Sequence, residues 1–340
     1  MLIEYEPRRN VHVNRVGASH RHLVLEPAKA GDTPADQVPH LDALKENCRI
    51  ADQPFAEWPA EKVRALTGVK HASKAFFQPG TVLVNPAALA RGLGATLPAN
   101  VELYENTPLQ SIRKDDRYVV TTSNGTVTSR KVMLCVNSFT PEILPSKARA
   151  VPIAPFSVLS RKLTQDELKI LGSGSPYAFI SPVRGDSLFR RTPDGRLMCR
   201  QNWLRYLPGK RFTQEHYDTA ATFAREAIRL RWPELGPIEF EHIWGGVVSM
   251  TRNYGAQIFD RVDDGIFVTS FCNGAHNTKG TAAGRLLAEY ASGIESPLLQ
   301  DQLKVPDPVI LPPRPFVKLG AEWRIRQMMR VQREAYRQIS

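Results

Sequence analysis

The residues best placed to do chemistry lie in one glycine-bearing loop near the end of the chain. Residues 265–284 read GIFVTSFCNGAHNTKGTAAG: a hydrophobic strand, a polar loop and the first turn of an alanine-rich helix. The first backbone N–H groups of a helix have no partner within the helix, and the helix dipole makes this end positive. The loop is therefore suited to bind an anion or to stabilise developing negative charge. The same pattern also fits an ordinary strand-to-helix turn with packing glycines.

Other common catalytic patterns are absent from the sequence. It contains no P-loop, no Ser-His-Asp order and no paired-carboxylate signature. The four cysteines, at positions 48, 135, 199 and 272, have no C-x-x-C spacing and no histidine at zinc-site spacing. This argues against a structural metal and against a disulfide scaffold.

The composition is that of a globular protein. Of the 340 residues, 42% are hydrophobic and 23% are charged, which is close to globular averages. The apolar runs are much shorter than the ~20 residues that a membrane helix needs, and the N-terminus is unlike a signal peptide. We therefore expect a cytoplasmic protein with no membrane span. The formal net charge is +11, but no nucleic-acid-binding motif accompanies it, so we do not expect nucleic-acid binding.

Two groups of elements surround the loop. The first group comprises a helix from Pro86 to about Leu97, a strand-like segment at Val101–Tyr104, a hairpin around Asn124-Gly125 and a strand at Lys131–Val136 that we expect to be buried on both faces. From about residue 150 alternating strands predict an antiparallel meander, interrupted by a helix at Thr213–Trp232.

The last part of the chain returns to the first pattern. It reads as a strand at Ile266–Phe271, a loop at Cys272–Gly280, a helix at Thr281–Ser292 and a basic helix from about Ala321. The whole order predicts an α/β plus α+β protein. Its predicted parts are a poorly defined segment at 1–60, one domain at 61–150 and 255–300, an antiparallel-sheet domain at 151–254, and a proline-rich stretch with a helix at 301–340.

Six segments occur in an order that resembles one enzyme family. They are VNPAALARGL, VELYENTPLQSI, the hairpin around Asn124-Gly125, KVMLCVNSFTPEIL, WGGVVSMTRN and FCNGAHNTKGTAAGRLLAEYASG. Together they are similar to the FAD-dependent amine and amino-acid oxidoreductases related to D-amino-acid oxidase, glycine oxidase and gamma-glutamylputrescine oxidase. The resemblance implies a Rossmann-like FAD-binding domain, an antiparallel substrate domain, and oxidation of the C–N bond of a small amine or amino acid to an imine.

The resemblance also implies roles for particular residues. Leu109 would lie in the segment that meets the adenine, and Val136 and Asn137 would lie where a strand turns beside the dinucleotide. The loop and helix start would face the flavin ring, where the helix dipole stabilises negative charge. That set is Asn273, Gly274, Ala275, His276, Asn277, Thr278, Lys279, Gly280 and Thr281. Many relatives have Gly-His-Gly in this loop, whereas this chain has Gly274-Ala275-His276. We therefore assign no separate role to His276.

A substrate that carries a carboxylate would favour a guanidinium group, because arginine forms two parallel hydrogen bonds with a carboxylate. The candidates are Arg200, with Asn202 close by in the sequence, and Arg252. Each arginine could equally be an ordinary surface residue. The sequence assigns no catalytic residue and no metal ligand.

The family normally has a G-x-G-x-x-G turn after its first strand, and this sequence contains no such turn. Gly92-Leu-Gly94 is followed by Leu97 where the third glycine belongs, and Gly172-Ser-Gly174 is followed by Tyr177. We therefore expect an incomplete FAD-binding domain that binds FAD weakly. Three explanations stay open: a fragment of a longer enzyme, which we favour, a second chain that supplies the missing cradle, and a non-catalytic binding subunit.

Overall fold

The computed structural model describes most of the chain, in two units. The described residues are 21–27, 45–79, 83–144, 148–173, 176–181, 187–209, 211–253, 256–271, 273–274 and 276–339. Unit 1 contains the described residues of 85–153 and 247–319, and unit 2 contains those of 14–84, 154–246 and 320–340. The domain boundaries expected from the sequence stay a prediction.

Strands and helices are mixed along the described residues. The strands are β1 (Arg21–Pro27), β2 (Ala56–Pro59), β3 (Ala72–Gln78), β4 (Leu109–Lys114), β5 (Tyr118–Thr122), β6 (Gly125–Ser129), β7 (Val132–Leu134), β8 (Ala150–Ser160), β9 (Tyr177–Ile180), β10 (Leu188–Arg191), β11 (Leu197–Tyr206), β12 (Phe240–Gly245), β13 (Val248–Thr251), β14 (Ile258–Asp263) and β15 (Ile266–Ser270). The helices are α1 (residues 45–50), α2 (Ala60–Thr67), α3 (Pro86–Ala95), α4 (Thr140–Ile143), α5 (Gln165–Ile170), α6 (Gln214–Arg231), α7 (Thr281–Ser292), α8 (Pro297–Leu303) and α9 (Arg314–Ile339).

Unit 2 is built on one sheet with the strand order β12-β8-β11-β10-β9-β1-β3-β2. Strands β9, β10 and β11 form the antiparallel meander that the sequence predicts. Strand β1 joins the meander parallel to β9, and β3 then pairs with both β1 and β2. Two segments of the N-terminal region that the sequence left undefined are thus strands of this sheet.

The core of unit 2 lies between this sheet and helix α6. The core side chains include Tyr177, Phe179, Phe189, Leu197, Cys199, Ala224, Ala227, Ile228 and Trp232. Helix α6 begins as predicted after Thr213, whose N–H donates to His216 Nδ1 at 3.2 Å. This hydrogen bond at the helix start explains why a histidine occupies the third position of α6.

The stability of unit 2 should depend on pH through Glu167. Its carboxylate accepts hydrogen bonds from Arg161 Nη1 at 2.8 Å, Arg161 Nη2 at 2.7 Å and Thr164 N at 2.7 Å. The guanidinium of Arg161, more than the backbone N–H, lowers the pKa of Glu167 from 4.5 to about 2. A carboxylate whose pKa is lowered on folding stabilises the protein above its unfolded pKa, and this contribution is lost as the pH falls towards the folded pKa.

We expect the variant Glu167→Gln to lose less stability in acid than the wild type. Between about pH 5 and pH 2.5 the wild type should lose about 1–2 kcal/mol through this group, allowing for solvent screening. Urea unfolding at the two pH values measures the difference. Asp166→Asn is the control, because Asp166 is exposed and its ion pair in the described part of the chain is with the exposed Lys169. The prediction would be contradicted if the free energy of unfolding fell by the same amount in the wild type and in Glu167→Gln between the two pH values.

Unit 1 contains two small sheets that share one core. Strands β4, β5 and β6 form an antiparallel sheet, and the hairpin predicted at Asn124-Gly125 joins β5 to β6. The second sheet has the order β14-β15-β7, with β7 parallel to β15. Tyr118 from the first sheet packs with Leu134 and Val268 from the second. Helix α7 packs on β14 and β15 through Leu286 and Leu287.

Three expectations for unit 1 and α9 are corrected by the structure. Residues 101–104 form no strand, because Leu103 and Tyr104 are exposed and no neighbouring strand pairs with them in the described structure. Strand β7 is shorter than Lys131–Val136 and is not buried on both faces: it lies at the edge of its sheet, and Val132 and Met133 are half-buried. Helix α9 begins before Ala321, at Arg314.

Candidate functional site

The predicted loop follows β15 at the edge where two parallel strands end. Val132, Met133 and Leu134 of β7 pair in register with Ile266, Phe267 and Val268 of β15. Strand β7 leads into Val136 and Asn137, and β15 leads into the loop from residue 271. Open α/β sheets bind their ligands outside the carboxyl ends of such strands. The structure therefore brings two of the predicted segments to the same edge of unit 1.

The backbone of the loop adopts an uncommon conformation. Phe271, Asn273 and Gly274 have φ values of 65°, 52° and 84°, in the left-handed region. A bulky residue such as phenylalanine rarely adopts this conformation, and it persists only where the surroundings fix it. The Phe271 side chain is buried, and the backbone N–H of Phe271 donates to Asn137 Oδ1 at 3.0 Å. Asn137, itself left-handed with φ 46°, thus holds the start of the loop.

The side chain of Asn273 braces the loop from inside. Its Oδ1 accepts hydrogen bonds from Thr251 N at 2.8 Å and Thr251 Oγ1 at 3.0 Å. Its Nδ2 donates to Ala256 O and to Phe271 O, both at 2.9 Å. Asn273 is buried, and all the usual hydrogen bonds of its carboxamide are made within the protein. Only the backbone of Asn273 is therefore available to a ligand.

Small hydroxyl side chains connect the same strand ends. Ser270 Oγ donates to Asn137 O at 2.6 Å and lies 2.8 Å from Thr140 Oγ1. Ser249 Oγ of β13 donates to Ser138 Oγ at 2.7 Å. Apart from Asn137, sequence reasoning did not identify these residues as part of the site. The sequence feature that could have identified them is the concentration of Ser, Thr and Asn directly after hydrophobic strands.

A π-helical turn precedes the helix that follows the loop. It covers His276–Gly280 and continues into α7, whose bounds, Thr281–Ser292, are those that the sequence predicts. The predicted loop at Cys272–Gly280 is therefore helical from His276 onward. Thr281 Oγ1 bonds back to Asn277 O at 2.9 Å, as expected within a helix. The backbone N–H groups without helical partners therefore belong to the turn from residue 276 onward. Turns of this type are frequent at functional sites.

The surroundings of the glycines leave room beside this turn. Counting only atoms of the described residues, a methyl group added at Gly280 or Gly284 would meet none within 4 Å, and one at Gly274 would come no closer than 3.6 Å, to Val248 Cγ1. The side chains of Asn277, Thr278 and Thr281 are exposed, whereas Lys279 and Gly280 are half-buried. Ala275 and the side chain of His276 lie outside the described residues.

The remaining predicted residues are distributed over both units. Leu109, in β4 of unit 1, packs against the core formed by Tyr118 and Leu134, so its side chain serves the core. Arg252 directly follows β13 in unit 1 and is exposed. Arg200 is half-buried in β11 of unit 2. Asn202 is in the same strand, and its side chain lies outside the described residues.

The described residues contain neither a metal-binding cluster nor a membrane-spanning helix. No group of three or more histidine, cysteine or acidic residues is arranged there to hold a metal ion. None of the helices in the same residues is both long enough and apolar enough to cross a bilayer.

A comparison with known families tests the resemblance seen in the six segments. The sequence profile of the FAD dependent oxidoreductases (DAO) matches residues 18–290. This chain belongs to that family. The resemblance seen in the six segments is thereby confirmed, and so is FAD as the cofactor of the family. At a general level, the family membership supports an oxidoreductase enzyme.

Individual relatives agree with this assignment. The chain is 28% identical over 251 residues to "Probable oxidoreductase OrdL" of Rhizobium meliloti, which covers 72% of this chain and 56% of that protein. It is 32% identical over 126 residues to the glycine oxidase of Pseudomonas aeruginosa, covering 35% of this chain and 34% of that protein. The chain thus spans about half or less of the length of these relatives. These matches do not support the second chain that the sequence left open.

A solved structure shows the same fold. Glycine oxidase from Geobacillus kaustophilus matches with a TM-score of 0.67 at 15% sequence identity, over 84% of this chain and 74% of that chain. At this identity the likeness concerns the fold alone. It confirms a mixed α/β architecture with antiparallel sheets, whereas the incompleteness of the Rossmann-like domain stays a prediction.

The residues of unit 1 fit one end of FAD. The N–H groups at the start of the π-helical turn, the loop held by Asn273 and the surroundings of Gly274 and Gly280 suit a flat, electron-accepting ring that gains negative charge. The diphosphate end has no such assignment, because the sequence lacks the G-x-G-x-x-G turn. The fit therefore rests on residues 273–281.

Proposed function

We propose that this chain oxidises the C–N bond of an amine or amino acid to an imine, with FAD as its cofactor. The observation that supports this most is the loop at 271–280, held by Asn137 and Asn273 at the carboxyl ends of β7 and β15. Bound FAD supplies the hydride acceptor. The contribution of the chain is to position the reacting groups and to stabilise charge.

The loop performs this task through its backbone. The N–H groups at the start of the π-helical turn carry the positive end of the dipole of α7. They would face the ring edge where negative charge develops when the ring is reduced, and they are fixed before the reaction begins. Residues 273–281, with Val136 and Asn137 beside them, are the proposed cofactor contacts.

Substrate recognition is assigned to arginine. Arg252 is exposed directly after β13, whose last residue, Thr251, also bonds to Asn273. An exposed guanidinium next to the proposed ring-facing loop suits the carboxylate of an amino acid. Arg200 in unit 2 is the second proposed carboxylate ligand.

Anaerobic reduction of the reconstituted protein tests this function. The full chain is incubated with FAD, free FAD is removed, and a panel of amines and amino acids is added while the visible flavin bands are recorded. We expect at least one compound to bleach the bands. In a separate assay, with a dye or with oxygen as the electron acceptor, dye reduction or peroxide release should increase with the concentration of that compound. A flavin-loaded protein that no member of the panel reduces would contradict the proposal.

A further inference from the structure

A proline-rich segment of unit 1 follows α8 and is held in place by hydrogen bonds. Residues 304–313, KVPDPVILPP, contain four prolines and form neither helix nor strand. Arg149 Nη1 donates to Asp307 Oδ2 at 3.0 Å and to Pro308 O at 3.3 Å. Because proline fixes φ, such a segment has few conformations to lose when it is bound in this way. We call residues 304–313 the strap.

Asn253 binds the strap with both ends of its carboxamide. Its Nδ2 donates to Asp307 O at 2.9 Å, and its Oδ1 accepts from Val309 N at 3.1 Å. A carboxamide can bind a backbone C=O and a backbone N–H at once, because it carries a donor and an acceptor side by side. The side chain of Asn253 is thus fixed by two backbone groups of the strap.

The backbone of Asn253 is connected to the loop that follows β15. Ala256 N donates to Asn253 O at 3.0 Å, and Ala256 O accepts from Asn273 Nδ2 at 2.9 Å. Ala256 and Asn273 are both buried. A continuous series of hydrogen bonds therefore joins the strap, through Asn253, to the side chain that braces the loop.

Arg252 lies between two residues that are held in place. Thr251 N donates to Asn273 Oδ1, and Asn253 is bonded to the strap. The backbone of Arg252 is thus restrained on both sides, whereas its side chain is exposed. A group that is fixed before binding loses less conformational entropy when a ligand arrives.

We propose that Asn253 is a positioning residue that holds Arg252 and the Asn273 brace in the arrangement that binds substrate and cofactor. The role towards substrate rests on the proposed function, whereas the bracing of the loop does not. Asn253 acts through its neighbours and does not react itself. When its carboxamide is removed, the strap no longer restrains these neighbours, so the loop opens more often.

Hydrogen exchange of the full chain without added FAD tests the bracing. We expect Asn253→Ala to speed exchange in peptides that cover residues 271–283 by about fivefold, because two restraining hydrogen bonds are lost. The hairpin at Tyr118–Ser129 should exchange as in the wild type. Asn253→Asp keeps the acceptor for Val309 N and should show a smaller increase. It also decides the question if Asn253→Ala does not fold.

The matched control is Asn85→Ala in the same unit. Asn85 Oδ1 also binds two backbone groups, since it accepts from Ala87 N and Ala88 N at 3.1 Å at the start of α3. This variant should lower the urea midpoint of unfolding to a similar extent and leave exchange in residues 271–283 unchanged. Unaltered exchange in both Asn253 variants, or an equal increase in the control, would overturn the positioning role.

Steady-state kinetics at saturating FAD tests the role towards Arg252. For a carboxylate-bearing substrate, Asn253→Ala should raise KM about 3-fold to 10-fold and change kcat by less than about twofold. Asn85→Ala should change neither constant. A larger effect on kcat than on KM, or activity only with amines that lack a carboxylate, would overturn the role towards Arg252. Faster loop exchange in Asn253→Ala, in a protein that oxidises no amine, would contradict the proposed function alone.

Discussion

Gly68→Ala is expected to lower the free energy of unfolding by about 3–5 kcal/mol. Gly68 ends α2 in the left-handed conformation, with φ 67°. A methyl group there would lie 1.8 Å from Ile170 O and 2.9 Å from Ile170 C. These are backbone atoms, so the contact is relieved only by moving the turn after α5. The turn after α5 approaches the end of α2 just as closely, since a methyl group at Gly172 would lie 2.2 Å from Leu66 O.

Gly293→Ala is the matched control for this prediction. Gly293 ends α7 in the same left-handed conformation, with φ 70°, but a methyl group there would meet no atom of the described residues within 4 Å. Only the backbone strain remains, so we expect a loss of about 1–2 kcal/mol. Urea unfolding of both variants measures the difference. Equal losses would show that the close approach of the two turns contributes nothing to the effect.

Asn273→Ala is expected to cost about 3 kcal/mol in stability and to weaken FAD binding at least about tenfold. The variant loses the bonds from Thr251 and those to Ala256 O and Phe271 O, and it leaves the buried Thr251 N–H without its partner. Such a buried donor alone costs about 1–3 kcal/mol. The loop then loses the brace that fixes its N–H groups towards the ring.

Asn106→Ala is the control that separates the effect of losing the hydrogen bonds of Asn273 from the effect of backbone strain. Asn106 has the same φ of 52° and is exposed, so replacing it introduces the same strain without removing a buried brace. We expect a loss of about 1 kcal/mol and no change in FAD affinity. Urea unfolding and FAD fluorescence titration measure both effects. An Asn273→Ala protein that binds FAD as tightly as the Asn106→Ala protein would contradict the proposed positioning role.

Elements with strong local signals were predictable from the sequence. Asn85 followed by Pro86 predicted the start of α3, and Asn85 Oδ1 does accept hydrogen bonds from Ala87 N and Ala88 N at 3.1 Å. Asn124-Gly125 predicted the hairpin, and the repeat of apolar residues predicted α6. In each case the residues that decide the structure lie within a few positions of one another.

Features that depend on distant partners were not predictable. The segment at Val101–Tyr104 has the residues of a strand, but a strand forms only where a neighbour supplies its hydrogen bonds. Likewise, nothing local shows that Asn273 would be enclosed by Thr251 and Ala256. The sequence predicted the strand before the loop and helix α7 after it, whereas the roles of the side chains in the loop depend on contacts with other strands.

Hydrogen exchange of the loop with and without FAD tests the central claim most directly. After FAD is added and its binding is verified by the visible bands, the exchange of backbone N–H groups is followed by mass spectrometry. We expect peptides that cover residues 271–283 to exchange more slowly, while the hairpin at Tyr118–Ser129 is unchanged. Bound FAD that leaves exchange in residues 271–283 unaltered would contradict the claim that this loop faces the flavin.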